Sequence, residues 1–461
     1  MACSALGWEE ELGRFLKPFL DRLGHKARRQ MCPRYVSGLI GPGDRKSIQP
    51  MAERFAFCDY DQLHHFIAAG VWDASPVETE LLVQADRLVG GNDAVLVIDD
   101  TAISKKGTHS VGVGAQYASA LGKTANCQTL VSLTLALGEV PVILALRLFL
   151  PEGWTSDRAR LKRAGVPREY RATRTKPEIA LAEIDRVIAA GVRFGCVLAD
   201  AGYGLSAPFR QGLTARNLTW AVGIPRHLKV YPADVQMIWP VAKRGRPRKR
   251  YIPDILSMAA EEMLADATWQ NISWRTGTKG KLKARFAAVR VRVADGPPQR
   301  IRDKGQQHLP GDEAWLIGEQ RTSGEKKFYL ANLPAQTDLR TLAATIQGAM
   351  GLRAGSPATE RRTWSRSLRG TILAGSSSSR AHDNDRLRLP PASPPRSSKT
   401  EKKESADRPL NQLCPPFATL SSNSSLDHRR TDASNADDGF TASPCVSESA
   451  KVVLEDFTTA D

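Results

Sequence analysis

Apolar residues recur at helical spacing through the first 90 positions, then give way to strand-like runs. Trp8, Leu12, Phe15, Phe19 and Leu20 follow one another at short helical intervals, and Leu23 continues the stripe, which predicts an amphipathic helix. Further helices are predicted over residues 50–57, with Ser47 upstream as an N-cap candidate, and over 60–69 and 76–89. Residues 1–90 therefore form a helical N-terminal domain. Such a domain suits DNA binding or plain packing equally.

From residue 94 the period changes. Residues 94–100 (A-V-L-V-I-D-D) are a buried apolar run ending in acids, 110–117 alternate, and 128–137 and 140–150 are long β-prone runs joined at Gly138-Glu139. A helix follows at about 176–190, then a strand over 194–200 (F-G-C-V-L-A-D), a helix after Leu205 and a strand over 219–223. Antiparallel strands followed by alternating helices and strands predict a mixed α/β sheet flanked by helices over 91–224. Residues 225–330 are basic and β-rich, with strands at 230–231, 287–293, 315–318 and 327–330, and 331–350 begin a last helix at 339–347. The remainder, 351–461, carries 19 Ser against 13 in the first 350 residues and keeps no apolar period, so it reads as a disordered tail.

Charge sharpens this picture. The chain carries a formal +16, of which the tail accounts for only +2 (16 basic, 14 acidic residues). The body therefore holds the excess, and a polyanion, nucleic acid first, is the expected partner. The seven scattered cysteines include no C-x-x-C, which argues against a zinc cage or disulfide framework and for a reducing, cytoplasmic setting. The most apolar stretch, 130–151, is interrupted by Gly138, Glu139 and Pro141, so no membrane span is expected.

The sharpest chemical signal is two strands that end in acids, V-L-V-I-D-D-T at Asp99 and Asp100 and C-V-L-A-D-A-G-Y-G at Asp200. Rigid strands deliver such side chains to a sheet edge with little freedom. Two carboxylates brought together repel unless a divalent cation bridges them, and hard oxygens suit Mg2+ or Mn2+. Neighbouring residues on a strand face opposite ways, so only one of Asp99 and Asp100 can serve. Asp100 is the expected ligand, and Asp99 supports it. The plain alternative for any one of these acids is a turn former or helix N-cap.

At these residues the sequence resembles the DDE transposases of bacterial insertion sequences. The likeness runs over about residues 10–347 and rests on V-L-V-I-D-D-T (95–101), G-K-T-A-N-C-Q (122–128), G-E-V-P-V (138–142), L-F-L-P-E-G-W-T (148–155), V-L-A-D-A-G-Y-G (197–204) and K-A-R-F-A-A-V-R-V-R-V (283–293). It implies an RNase H-like catalytic domain with a β-rich insertion, and metal held by two Asp and one Glu, with Asp100 first and Asp200 second. It also implies a homo-oligomer when two DNA ends are joined. The implied reaction is hydrolysis at transposon ends, then attack of the freed 3′-hydroxyl on target DNA. The implied location is with the nucleoid.

The third acid is where the chain departs. The resemblance implies a Glu on the helix that begins at 339, yet the sequence turns to A-M-G-L-R-A-G-S-P-A-T-E from Ala349, and Glu360 is a poor substitute. Shifted by one nucleotide, synonymous codons for this stretch permit R-W-V-C-E-Q-A-H-Q-Q-L-K-D-E-L-G, which resembles the missing Glu-bearing helix. Residues from about 348 therefore read as translated out of frame, with an activity impaired for want of the third ligand. A genuine disordered tail is the alternative. A non-catalytic DNA-binding protein or transposition inhibitor of the same ancestry is the rival function, and a host nuclease is a second.

Basic residues supply candidate DNA contacts. Lys243, Arg244, Arg246, Arg248, Lys249 and Arg250 form the run K-R-G-R-P-R-K-R, whose Arg-Gly-Arg-Pro suits a narrow minor groove. Lys281, Lys283, Arg290 and Arg292 form a second stripe suited to phosphates. Lys105, just past the first acids, and Tyr203, three residues past Asp200, are candidates for positioning phosphate. Gly122-Lys123-Thr124 lacks the upstream glycine of a P-loop, Tyr117 standing there instead.

Overall fold

The strands Cys196–Ala199 and Trp220–Ile224 hold no charged residue and are almost wholly buried, as strands must be when helices or other layers cover both sheet faces. They form the parallel centre of the fold in the computed structural model, which describes residues 7–41, 46–54, 60–69, 72–118, 121–239, 250–277, 280–300 and 306–354. These lie in one compact unit, Met1–Arg380, while the second, Ala381–Asp461, lies outside the described residues, as does most of the expected tail.

The N-terminal helices are α1 (Gly7–Arg22), α2 (Lys26–Ile40), α3 (Ile48–Arg54), α4 (Tyr60–His64, continued by a π turn over His65–Ala69) and α5 (Ser75–Val89). Then come β1 (Val95–Ser104), β2 (Gly114–Ala118), β3 (Lys123–Leu137), β4 (Val140–Leu148), α6 (Glu152–Thr155), α7 (Arg158–Arg163), α8 (Lys176–Ala189), β5 (Cys196–Ala199), α9 (Ala201–Gly204), α10 (Ala207–Ala215) and β6 (Trp220–Ile224). The remainder is β7 (Lys229–Pro232), β8 (Met237–Ile238), β9 (Ile252–Pro253), β10 (Met258–Ala259), α11 (Ala260–Met263), β11 (Gln270–Gly277), β12 (Gly280–Val293), β13 (Pro298–Arg300), β14 (Gln306–His308), β15 (Glu313–Gln320), β16 (Lys326–Ala331) and α12 (Leu339–Ala354).

The expected mixed α/β sheet flanked by helices is what forms. Its order is β10-β7-β12-β15-β16-β6-β5-β1-β3-β2, with β11 on β12 and β4 on β3. Strands β1, β5 and β6 run parallel, and the other pairings are antiparallel. The basic β-rich stretch thus extends the same sheet, because β16 pairs directly with β6. One face buries Leu96, Ile98, Val197 and Val222 with α5, α8 and α10; the other buries Val97, Leu198 and Ala221 with Leu342, Ala343 and Ile346 of α12. The N-terminal helices keep a small core of their own around Met31, Tyr35, Met51, Leu63 and Phe66.

One helix lies outside those predicted, and one expectation needs correction. Helix α2 carries no strong apolar stripe and is not expected from periodicity; His25 caps it through Nδ1, and Met31 and Tyr35 anchor it to the helical core. Strand β1 does not end at Asp99 and Asp100 but continues to Ser104, because β3 pairs with it through Ser104↔Cys127. The parallel partner does stop there: the last β1–β5 pair is Ile98↔Ala199. The two acids therefore lie mid-strand, at the point where one neighbour leaves the sheet.

Candidate active site

Asp100 follows Leu96 and Ile98 on the face that α8 covers. Its Oδ1 accepts a 2.7 Å hydrogen bond from the Tyr203 hydroxyl, and Oδ2 meets Lys176 Nζ at 2.5 Å. Lys176 opens α8, whose start is set by a capping box between Thr175 and Glu178 with Pro177 in the first turn. A lysine in a first helical turn works against the helix dipole. The facing Asp100 carboxylate offsets that cost.

Asp200 leaves the end of β5 and caps α9, its Oδ1 accepting from the amides of Gly202 (2.9 Å) and Tyr203 (3.3 Å). Tyr203 therefore touches both acids, Asp200 through its amide and Asp100 through its hydroxyl. It is 2% exposed and packs on Phe209. Burial pushes its phenol far above the usual range, and the charges of Asp100, Asp200 and Asp99 push the same way. The hydroxyl stays protonated and serves as a fixed donor to Asp100.

The glycines of D-A-G-Y-G let α9 lie against β6. A Cβ on Gly204 would stand 1.9 Å from the Gly223 carbonyl oxygen, so no larger residue fits. Arg210, 3% exposed, holds this turn by donating to the Gly204 carbonyl and, at 2.8 Å, to Asp295 in the loop after β12.

Asp99 lies one step past the Ile98↔Ala199 pair, level with Asp200, and its Oδ1 accepts from the Asp100 amide at 2.8 Å. The two principal acids line separate clefts. Asp100 lines one of about 290 Å³ with Phe149, Thr175, Lys176 and Tyr203. Asp200 lines a larger one of about 450 Å³ at the ends of β5, β6 and β16.

The other candidates are spread more widely. Lys105 follows β1, with its amide bonded to the Asn126 carbonyl at 2.9 Å. Lys243, Arg244, Arg246, Arg248 and Lys249 lie outside the described residues, and Arg250 is exposed at their edge. Lys281 and Lys283 lie on β12, with Lys283 exposed. Arg290 and Arg292 share a face of β12, as alternation predicts, but their guanidinium groups are engaged internally. Arg290 bonds Glu313 (3.0 Å) and stacks over Trp315, and Arg292 bonds the Gly311 carbonyl (2.9 Å).

Sequence reasoning missed Lys176 and Arg210. The capping box that starts α8 is legible, but Lys176 meets an acid 76 residues earlier in the chain, and no local signal reports that pairing. Asp100 and Asp200 each offer hard carboxylate oxygens of the kind Mg2+ takes, but the two line separate clefts and both Asp100 oxygens are engaged by Tyr203 and Lys176. Among the described residues no group of three or more His, Cys, Asp or Glu is arranged to hold a metal.

Comparison with known proteins adds a family. The family described as DDE superfamily endonuclease matches residues 18–281. A probable transposase for insertion sequence element IS701 from Microchaete diplosiphon is 31% identical over 188 residues, 41% of this chain and 46% of the relative. The chain thus spans about half the length of that curated relative. A piggyBac transposase synaptic complex with hairpin DNA aligns over 76% of this chain and 63% of its own, at 10% identity and a TM-score of 0.32. The NurA nuclease from Sulfolobus solfataricus aligns over 62% of this chain and 86% of its own, at 11% identity and a TM-score of 0.25.

Proposed function

Because the chain belongs to the DDE superfamily endonucleases, we propose that it is an insertion-sequence transposase that binds DNA and acts on the phosphodiester backbone at the element's ends. Transposases of this family generally use divalent metal ions. The observation that carries the reading is the junction of Asp100 and Asp200 at one residue, Tyr203, where the parallel strands end. A chain with a formal +16 charge is suited to a DNA partner.

Asp100 and Asp200 would hold Mg2+ or Mn2+, which when bound supplies charge neutralisation at a phosphate and activation of an attacking oxygen. The chain's own residues prepare that site. Tyr203 orients one oxygen of Asp100 and Lys176 holds the other. Lys176 also offsets the negative charge of Asp100, which would otherwise repel a phosphate. Asp99 ties its carboxylate to the Asp100 amide and steadies the strand at the reacting end.

The third ligand belongs, in this reading, to the alternative frame beginning near residue 348, so the present product is impaired in cleavage and retains DNA binding. The nucleotide sequence of the gene tests this, and a shifted frame with no Glu-bearing helix sinks it. The activity itself is tested by incubating the protein, and a frame-restored version, with end-sequence duplex and Mg2+ or Mn2+. Metal-dependent strand cleavage by the restored protein that Asp100→Ala and Asp200→Ala abolish is the expected result. Binding without cleavage in the restored protein would favour a DNA-binding inhibitor of the same ancestry.

A further inference from the structure

Building on the transposase reading, we infer that the 450 Å³ cleft beside Asp200 is a seat for DNA backbone phosphate, with Arg226, Lys326 and Lys327 as its binding groups. The cleft opens where β5 and β6 end, the edge at which parallel sheets commonly receive ligands. Its floor is apolar, with Leu198, Ala221, Phe328 and Ile346. Its charged lining is one acid, Asp200, and these three cations.

The pairing of these cations bears on their role. Arg147, Arg210 and Arg216 each form side-chain hydrogen bonds to carboxylates at 2.5–2.8 Å. Among the described residues, the three at the cleft meet their neighbours only loosely. Arg226 is 3.6 Å from Glu261, with its side chain 73% exposed; Lys327 is 3.7 Å from Glu325; and the Lys326 ammonium is 5.7 Å from the centre of the Trp269 ring.

Strands β6 and β16 pair last through Phe328↔Ile224; just past that pair the chain turns at Arg226 on one side, while β16 begins with Lys326 and Lys327 on the other, so the three cations gather at one end of this strand pair. Like charges gathered at one site repel, and a bound phosphate would be attracted by all three. The cations also offset the repulsion that Asp200 alone would exert on a DNA strand. One phosphate of the strand that passes Asp200 is the occupant this arrangement suits.

The test measures binding of fluorescently labelled end-sequence duplex by anisotropy across a series of KCl concentrations, without divalent metal. It compares the wild type with Arg226→Ala/Lys326→Ala/Lys327→Ala, and with Lys17→Ala on the remote α1 as control. The triple variant is expected to bind about tenfold or more weakly, with the slope of log K against log salt shallower by roughly one for each phosphate no longer neutralised. Lys17→Ala is expected to match the wild type, and Asp200→Asn to bind as well or better. Thermal melting confirms that the variants fold; if the triple variant does not, the three single substitutions are compared instead. Unchanged affinity and slope in folded variants overturn the cleft assignment while leaving the transposase reading intact. Cleft-dependent binding by a frame-restored protein that never cleaves overturns the transposase reading and leaves the cleft. A wild type that binds no DNA overturns both.

Discussion

Asp200 performs two jobs that substitution can separate. Its carboxylate caps α9, and it lines the larger cleft. Asparagine keeps the capping oxygen while losing the charge, whereas alanine loses both. Asp200→Asn is therefore expected to melt close to the wild type and Asp200→Ala to lose about 1 kcal/mol, as N-cap removals do. In a frame-restored protein both are expected to lack cleavage; a melting series beside a nicking assay checks this. Tyr203→Phe removes the hydroxyl bonded to Asp100 and leaves the ring's packing on Phe209. It is expected to cost about 1 kcal/mol of stability and to slow cleavage more than it weakens DNA binding. Unchanged cleavage and binding would argue that Tyr203 only packs. Gly204→Ala forces a methyl group to within 1.9 Å of the Gly223 carbonyl, so the turn bearing Tyr203 must move. A loss of roughly 1–3 kcal/mol is expected, as for other overpacked sites, measurable by urea unfolding.

At the scale of elements, the charge network around Arg147 ties the helical region to the sheet. From β4, Arg147 forks onto Glu78 of α5 at 2.8 and 2.5 Å and bonds Glu183 of α8 at 2.7 Å. Burial opposes ionisation of Glu78, but the hydrogen bond and charge of Arg147 win, so its carboxyl lies below the usual range. A depressed carboxyl stabilises the fold above its unfolded pKa of about 4.3, and that contribution is lost as pH falls through the lower folded value. Glu78→Gln is thus expected to lower the melting temperature at neutral pH and to flatten its decline between about pH 5 and 3. Parallel declines for variant and wild type would show that Glu78 contributes nothing to acid stability. The elements also show how far periodicity reaches. Strands β4, β5 and β6 are legible because apolar side chains run nearly unbroken along them, and β3 is legible only in its more apolar second half, not at its start, Lys123. The true end of β1 is not, because pairing with β3 extends it through the polar residues Thr101 and Ser104. Helix α2 is poorly legible because its buried positions, Met31, Tyr35 and Gly38, keep helical spacing but supply only two large side chains among charged and polar neighbours.

For the whole molecule, local sequence was enough to establish the helical start, the mixed sheet, the pair of acid-bearing strands and the excess of positive charge. Those features follow from side-chain periodicity, burial of apolar runs and simple counting, each readable within a short window. The glycines of D-A-G-Y-G are visible too, but their reason is not: Gly204 is required by the carbonyl of Gly223, on a strand later in the chain. Only the tertiary structure decided that Lys176 and Tyr203 share Asp100, that Asp200 opens on a different cleft from Asp100, and that Arg226 and Lys326 line one cleft. These pairings depend on strand order and register, which join residues far apart in the chain, so the electrostatics of the site exist only once the sheet has assembled.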